Sequence, residues 1–172
     1  MSSHVTIQYG DCVLTGSVVS DQSLELFISD IVARLKITDI GNDPVFALQD
    51  PVSHAYITST YSVLTHAGSV IELVNVTKRC QLIISDLAGL KVRFVENIPM
   101  RPELSTQTKR AVFQLETDLK YDNFGEEFIM QGGMEPLLDI ISTFDGNTQT
   151  YALKALSKAL WCVSCFFNHT DF

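Results

Sequence analysis

The chain has 172 residues, of which 46% are hydrophobic and 19% are charged, and this balance excludes an intrinsically disordered protein. Its 12 basic and 20 acidic residues give a formal charge of −8, which argues against a nucleic-acid binder, since phosphate contacts require lysine and arginine. Four scattered cysteines do not form a disulfide framework, and no stretch is apolar enough for a transmembrane segment, so we expect a cytoplasmic protein.

Charge and secondary-structure pattern both change near residue 75. Residues 1–75 contain two basic and eight acidic residues, a net charge of −6, whereas residues 76–172 contain ten basic and twelve acidic residues, a net charge of −2. The first part is rich in strand patterns and the second in helical patterns. We therefore predict a domain at 1–75, a helix and linker at 76–103, and a second domain at 104–172.

The first domain reads as two strands, a helix and further short strands. Residues 4–9 and 12–19 are rich in β-forming residues, and Ser23 can cap a helix whose apolar positions recur with helical spacing from Leu24 to Leu35. Short strands follow at 45–49, 55–58 and 70–74, with the segment 60–66 too short for a good helix. This order predicts a ubiquitin-like β-grasp, with a ferredoxin-like sandwich as the main alternative.

The rest of the chain reads as helical. A helix at 77–87 is expected to end at Gly89, with 91–95 as a strand or an extended linker. Later helices are predicted at 104–119, 124–130, 134–144 and 149–166, with Gly132-Gly133 as a left-handed stop between two of them. Short helices joined by tight glycine turns are typical of an α-solenoid. The predicted fold class is α+β followed by all-α.

Four segments resemble one known family. The stretch Phe124–Leu138, FGEEFIMQGGMEPLL, resembles the opening armadillo repeat of the engulfment-and-cell-motility (ELMO) proteins. The segments Phe46–Gln49, Tyr56–Thr58 and Gly68–Leu73 resemble strands of that family's N-terminal domain. The resemblance implies a ubiquitin-like Ras-binding domain followed by the beginning of an armadillo-repeat array, truncated at residue 172.

This resemblance implies an adaptor rather than an enzyme. ELMO-like function would be binding of a GTP-loaded Rho-family small GTPase, upstream of Rac activation, phagocytosis and cell motility, with recruitment to membranes by the GTPase. A DOCK-type exchange factor would be a partner only of a longer chain. A formin-type GTPase-binding and armadillo module that regulates actin has the same layout and is the alternative. No cofactor is implied.

The GTPase contact is predicted on the second strand and the first helix. Ubiquitin-like Ras-binding domains commonly place basic residues there, against the acidic switch region of the GTPase. In this sequence the second strand has no lysine or arginine, so the positive charge comes from the end of the helix alone. The candidate contact residues are Val13, Thr15, Leu24, Arg34 and Lys36.

A second basic cluster lies between the two domains in sequence. Residues 76–101 contain five basic and two acidic residues, a net charge of +3, and the alternative interpretation is an ordinary solvated linker surface. The candidate secondary patch consists of Lys78, Arg79, Lys91, Arg93 and Arg101.

Catalytic and metal-binding signals are weak. No phosphate-binding loop and no nucleophile elbow occurs in the sequence. A cysteine-dependent hydrolase that uses Cys12 or Cys80 with His54 or His66 remains a weaker alternative. The spacing of Cys162 and Cys165 puts both thiols on one helix face, and we predict buried helix cysteines rather than a metal site. We therefore predict no catalytic residue, metal or cofactor.

Overall fold

The computed structural model describes residues 2–37, 44–95 and 102–169. It is an α+β structure with a five-stranded mixed sheet and seven helices in the described residues. The chain divides into two compact units, Met1–Val76 and Thr77–Phe172, here called the N-terminal unit and the C-terminal unit. No helix of the described residues has the length and apolar character needed to cross a membrane.

The N-terminal unit contains the whole sheet, in the strand order β2-β1-β5-β3-β4. Strands β1 and β5 run parallel, whereas β1–β2, β3–β4 and β3–β5 are antiparallel pairs. This order leaves β2 and β4 at the two edges. The elements are β1 (Ser2–Tyr9), β2 (Cys12–Val19), α1 (Leu24–Arg34), β3 (Phe46–Gln49), β4 (Tyr56–Ile57), α2 (Thr60–Thr65) and β5 (Val70–Asn75).

Helix α1 covers one face of the sheet. Ser23 caps it, since its hydroxyl accepts a hydrogen bond from the amide of Leu26 at 3.3 Å. The helical spacing predicted from the sequence is confirmed, and Phe27 and Ile31 are buried on the sheet side. The core of the N-terminal unit is Val5, Ile7, Val18, Phe27, Ile31, Leu48, Ile57, Val63, Ile71 and Leu73.

The prediction that residues 60–66 are too short for a good helix was wrong, because Thr60–Thr65 form helix α2. Ser59 caps α2 by accepting a hydrogen bond from the amide of Ser62 at 3.2 Å, and Val63 is fully buried. The hydroxyl of Thr60 also donates to the carbonyl of Gln22 at 2.8 Å. A cap and one buried side chain stabilise a helix that local propensity alone would not.

The C-terminal unit is helical, and its first helix is longer than predicted. The prediction of a stop at Gly89 and of a strand or linker at 91–95 was wrong, because the helix continues to Val95. Gly89 is exposed, and an interior helical glycine costs only about 1 kcal/mol, which a 20-residue helix can absorb. The helices are α3 (Val76–Val95), α4 (Pro102–Asp118), α5 (Asp122–Met130), α6 (Met134–Thr143) and α7 (Gly146–His169).

Glycines allow close approach of the short helices. Gly132 has a φ of 79°, which confirms the predicted left-handed stop between α5 and α6. A Cβ at Gly125 would lie only 2.4 Å from Sγ of Cys162, so α5 and α7 pack with almost no space between them.

Helices α4 and α7 run parallel. Tyr151 contacts Phe113, Lys158 contacts Glu116 and Cys162 contacts Leu119, so the partners advance along both helices in the same direction.

Candidate partner-binding surfaces

Strand β2 is a long edge of the sheet and lies beside α1. Among the described strands its only partner is β1, so one backbone edge of its eight residues faces away from the sheet. Side chains alternate along it: Gly16 and Val18 are buried, whereas Val13 and Val19 are 63% and 44% exposed. Since Gly16 faces α1, Val13 and Thr15 point to the opposite face of the sheet, and the edge of β2 joins the two faces. We call β2 with this edge, together with the exposed side of α1, the β2–α1 surface.

Gly16 brings the helix against this strand. A Cβ at this position would lie 2.9 Å from Cδ1 of Ile31 and 3.2 Å from the ring of Phe27, closer than such atoms normally approach. The small residue therefore lets the second half of α1 lie directly on β2. This packing places the C-terminal end of the helix next to the middle of the edge strand.

Arg34 and Thr15, two of the predicted contact residues, meet at this place. Nη2 of Arg34 donates to the backbone carbonyl of Thr15 at 3.0 Å, and Nη1 lies 3.5 Å from Oδ2 of Asp30. Arg34 thus holds the end of α1 on the edge strand and is paired with a carboxylate. Its charge is less available for a partner than the sequence predicts.

The other three predicted contact residues occupy different environments. Val13 lies on β2, two residues before Thr15, and is exposed. Lys36 follows α1, is exposed and has a φ of 50°. Leu24 is half-buried and packs against the core, so it is placed mainly as a structural residue. The β2–α1 surface therefore contains Val13, Thr15 and Arg34, with Lys36 as an exposed cation at the end of the helix.

The predicted secondary basic patch is only partly described by the structure. Lys78 is exposed near the start of α3, whereas Arg79 is directed toward α4. Lys91 and Arg93 belong to α3, but their side chains lie outside the described part of the structure, as does all of Arg101. Of the five cations, the structure therefore describes the side chains of Lys78 and Arg79 alone.

Arg79 forms a buried ion pair within the C-terminal unit. Nε and Nη2 of Arg79 donate to the two carboxylate oxygens of Asp118 at 3.0 and 3.1 Å, and Nε2 of Gln114 donates to the same carboxylate at 3.0 Å. The Asp118 side chain is fully buried and that of Arg79 is 26% exposed. This two-point contact joins α3 to α4, which gives Arg79 a structural role that its sequence position does not reveal.

Cys80 does not have the environment of an activated nucleophile. Cys80 is buried, its Sγ lies 3.8 Å from the carbonyl oxygen of Phe124, and desolvation together with the carboxylates of Glu127 and Asp118 raises its pKa to about 12. Its thiol is therefore neutral at physiological pH, the opposite of what a cysteine hydrolase requires. Cys12 is exposed.

The predicted pair of buried helix cysteines is described for one member only. Cys162 is buried in α7, whereas the side chain of Cys165 lies outside the described residues. Within the described part of the chain, no group of three or more histidine, cysteine, aspartate or glutamate side chains could hold a metal ion.

The connection between β3 and β4 is organised around the carboxylate of Asp50, which the sequence analysis did not predict. Oδ1 of Asp50 accepts hydrogen bonds from the amides of Val52 and Ser53 at 2.9 and 2.6 Å, and Oδ2 lies 3.1 Å from Nε2 of His66. These bonds, first of all those from the two amides, lower the pKa of Asp50 to about 2. The Asp-Pro pair signals a turn, but the contact to His66, sixteen residues later, has no local signature.

Comparison with known proteins gives partial similarity to formins. No family model matches the chain. Formin-C of Dictyostelium discoideum is 32% identical over 111 residues, which are 64% of this chain and 9% of that protein. Formin-G of the same organism is 41% identical over 59 residues, which are 34% of this chain and 6% of that protein. The matched region therefore spans only a small part of these relatives.

Among solved structures, ATBAG1 in complex with HSP70 aligns over 94% of both chains. The sequence identity is 12% and the TM-score is 0.29, so this likeness carries no argument about fold or partners.

Proposed function

We propose that the chain is a non-catalytic adaptor module of the formin type, which binds a GTP-loaded Rho-family small GTPase and takes part in regulating actin. The partial similarity to two formins supports the class of protein. The edge strand β2, exposed beside α1, supports the N-terminal unit as the binding part and is the observation that carries the proposal. The β2–α1 surface is the proposed contact.

The fold details that accompany this proposal are a ubiquitin-like first unit and an armadillo-like second unit. Support for the first is the strand order β2-β1-β5-β3-β4 with a parallel β1–β5 pair in the centre and α1 on one face. Support for the second is the parallel packing of α4 and α7 with two short helices between them in sequence. Stacked helical repeats place corresponding helices side by side in this way.

The ELMO resemblance stays a prediction, as do phagocytosis, cell motility and the exchange-factor partner that depend on it. Both curated relatives described above are formins, so sequence similarity favours the formin alternative. The two alternatives share the GTPase-binding module and differ in what the remainder of a longer chain would do.

Strand addition explains how an acidic module could bind a GTPase. An exposed edge offers backbone hydrogen bonds whose strength does not depend on net charge. The β2–α1 surface has Lys36 as an exposed cation, while Arg34 already contacts Asp30 and the Thr15 carbonyl. A partner strand at β2 would therefore share or displace the bond from Arg34. We expect affinity to come from backbone pairing and apolar contact at Val13, with little electrostatic steering.

The test is nucleotide-dependent capture with a matched pair of variants. The immobilised 172-residue chain should retain a Rho-family GTPase loaded with a non-hydrolysable GTP analogue and release the GDP form. Val13→Asp, which puts a carboxylate on the edge strand, should reduce capture at least about tenfold. Val52→Asp makes the same change at an 88% exposed position in the β3–β4 connection and should leave capture unchanged.

Three results would contradict the proposal. Equal retention of both nucleotide forms, or retention of neither, would exclude a GTPase-effector role. Equal effects of the Val13 and Val52 variants would remove β2 from the contact. Because both positions are exposed, a folding defect is not expected in either variant, and circular dichroism would verify this.

A further inference from the structure

Two rows of side chains on α4 and α7 form a surface that differs in charge from the rest of the chain. In each row the spacing of three and four residues puts all members on one side of the helix. The first row continues into the turn directly after α4. We call both rows together the α4–α7 face, which consists of Lys109, Phe113, Glu116 and Lys120 in the first row and Tyr151, Lys154, Lys158 and Trp161 in the second.

Direct contacts join the two rows into one surface. The rings of Phe113 and Tyr151 meet edge to face, with centroids 5.3 Å apart. Lys158 forms an ion pair with the carboxylate of Glu116 and also donates to its backbone carbonyl at 3.0 Å. These contacts fill the seam between the parallel helices, so the remaining members of the rows project outward on either side of it.

The α4–α7 face is basic in an acidic protein. It contains four lysines and one glutamate, a net charge of +3 against −8 for the whole chain. The hydrogen bond from Lys158, together with the positive charges of Lys120 and Lys154, lowers the pKa of Glu116. The three lysines thus lie close enough to act on one carboxylate, and Glu116 is already paired.

Exposed aromatic side chains accompany these lysines. Trp161 is 70% exposed and Phe113 is 50% exposed, although large aromatic side chains normally bury most of their surface. Trp161 lies seven residues after Lys154 and three after Lys158, so it projects from the same side of α7. Nζ of Lys154 lies 5.5 Å from the centre of the Tyr151 ring.

We propose that the α4–α7 face binds an anionic lipid surface. Lysine is a mobile point charge suited to many headgroups, whereas arginine is the residue that recognises individual carboxylates in a fixed two-point geometry. Tryptophan combines an apolar ring with a polar N–H and suits the boundary between headgroups and acyl chains. A lysine row beside exposed aromatic rings, with a filled seam in place of a groove, fits a membrane surface better than an acidic peptide.

Trp161 is the single tryptophan of the chain, so its fluorescence measures binding of the α4–α7 face to vesicles directly. The 172-residue chain is mixed with vesicles of phosphatidylcholine and phosphatidylserine in equal parts, and with vesicles of phosphatidylcholine alone. We expect the emission of Trp161 to shift to shorter wavelength, and the protein to float with the vesicles, only when phosphatidylserine is present. Added salt should release the protein, since the attraction acts over about a Debye length.

Variants assign the binding to this face. Lys120→Ala with Lys154→Ala should weaken vesicle binding about 25-fold, because each lysine near an anionic surface contributes about fivefold. Lys36→Asn removes one charge elsewhere, at a left-handed position that asparagine tolerates, and should change binding less than about twofold. In flotation, Trp161→Ala should bind several-fold more weakly, whereas Tyr61→Ala, which removes a 76% exposed aromatic on α2, should bind as the parent chain does.

Several outcomes would overturn the proposal. Equal binding to both kinds of vesicle, or to neither, excludes an anionic lipid surface as the ligand. A shift of Trp161 emission with poly-glutamate but not with phosphatidylserine vesicles assigns the face to an acidic protein partner. Binding that the lysine and tryptophan variants leave unchanged assigns it to another part of the chain.

Discussion

Replacing Arg79 by alanine tests whether this residue belongs to a basic binding patch or to the interior of the C-terminal unit. A patch residue on a solvated surface could be removed with little effect on stability. The structure instead pairs its guanidinium with the fully buried carboxylate of Asp118. Arg79→Ala would leave that charge buried, with Gln114 as its remaining side-chain partner among the hydrogen bonds described above.

The expected cost follows from the burial of the two partners. Removing one partner of a buried ion pair typically costs about 3–5 kcal/mol. Since the Arg79 side chain is 26% exposed, water can reach the site left by it, and we expect the lower end, about 3 kcal/mol. For a chain of this size that corresponds to a fall in Tm of about 6–12 °C, if the whole chain unfolds in one step.

Urea unfolding of the 172-residue chain, followed by far-UV circular dichroism, measures this difference in the free energy of unfolding. The midpoint should fall while the slope stays unchanged, because the variant exposes the same surface on unfolding. Arg110→Ala removes an exposed cation of α4 and should stay within about 0.5 kcal/mol of the parent chain. Equal, small effects of both substitutions would refute the structural role of Arg79.

Three further predictions concern packing, thiol reactivity and acid stability. Gly125→Ala should cost about 1–3 kcal/mol because its Cβ would lie 2.4 Å from Sγ of Cys162, and less in a Cys162→Ala background, where the nearest Cys162 contact becomes 3.1 Å. A maleimide should modify exposed Cys12 in the native protein and leave Cys80 unmodified, as measured by peptide mass spectrometry. The pKa of Asp50 is lowered from 3.8 to about 2, so the stabilisation by its carboxylate is complete above pH 3.8 and disappears as the pH falls toward 2. Urea midpoints measured over this pH range should therefore depend less on pH in Asp50→Asn than in the parent chain.

Each of these predictions has a result that contradicts it. Gly89→Ala, at an exposed helix position with no atom within 4 Å of the new Cβ, should stabilise by about 0.5–1 kcal/mol, and an equal response at Gly125 would disprove the close helix contact. Native labelling of Cys80 as fast as that of Cys12 would show an accessible thiol and revive the hydrolase alternative. An unchanged acid dependence in Asp50→Asn would show that the hydrogen bonds of this loop do not stabilise the fold.

The elements that the sequence predicts well are those with strong local patterns. The spacing of apolar residues from Leu24 to Leu35 and the cap at Ser23 predict α1, and the glycine pair at 132–133 predicts the turn between α5 and α6. Two predictions were wrong. A cap and a buried side chain stabilise helix α2 at 60–66, and the length of α3 lets it continue past Gly89.

Site residues were less predictable than elements. The sequence places Arg34 and Lys36 at the end of α1, but it does not show that Arg34 bonds to the Thr15 carbonyl, nineteen residues earlier. The sequence analysis did not identify the lysine and aromatic rows of α4 and α7, although their three- and four-residue steps are present in the sequence. That the two rows adjoin depends on the parallel packing of helices about forty residues apart.

The charge distribution, most of the secondary structure and the change of character near residue 75 can be predicted from the sequence, because they follow from composition and from periodicity within a few turns or strands. Which charges are available to a partner depends instead on how the chain packs. Arg79 is paired with the buried carboxylate of Asp118 and Arg34 is held by the edge strand, whereas lysines of α7 and of the turn after α4 gather around Glu116. The interaction energy of a charged side chain depends on its distance from other charges and on its exposure to water, and both are set by the packing of the chain.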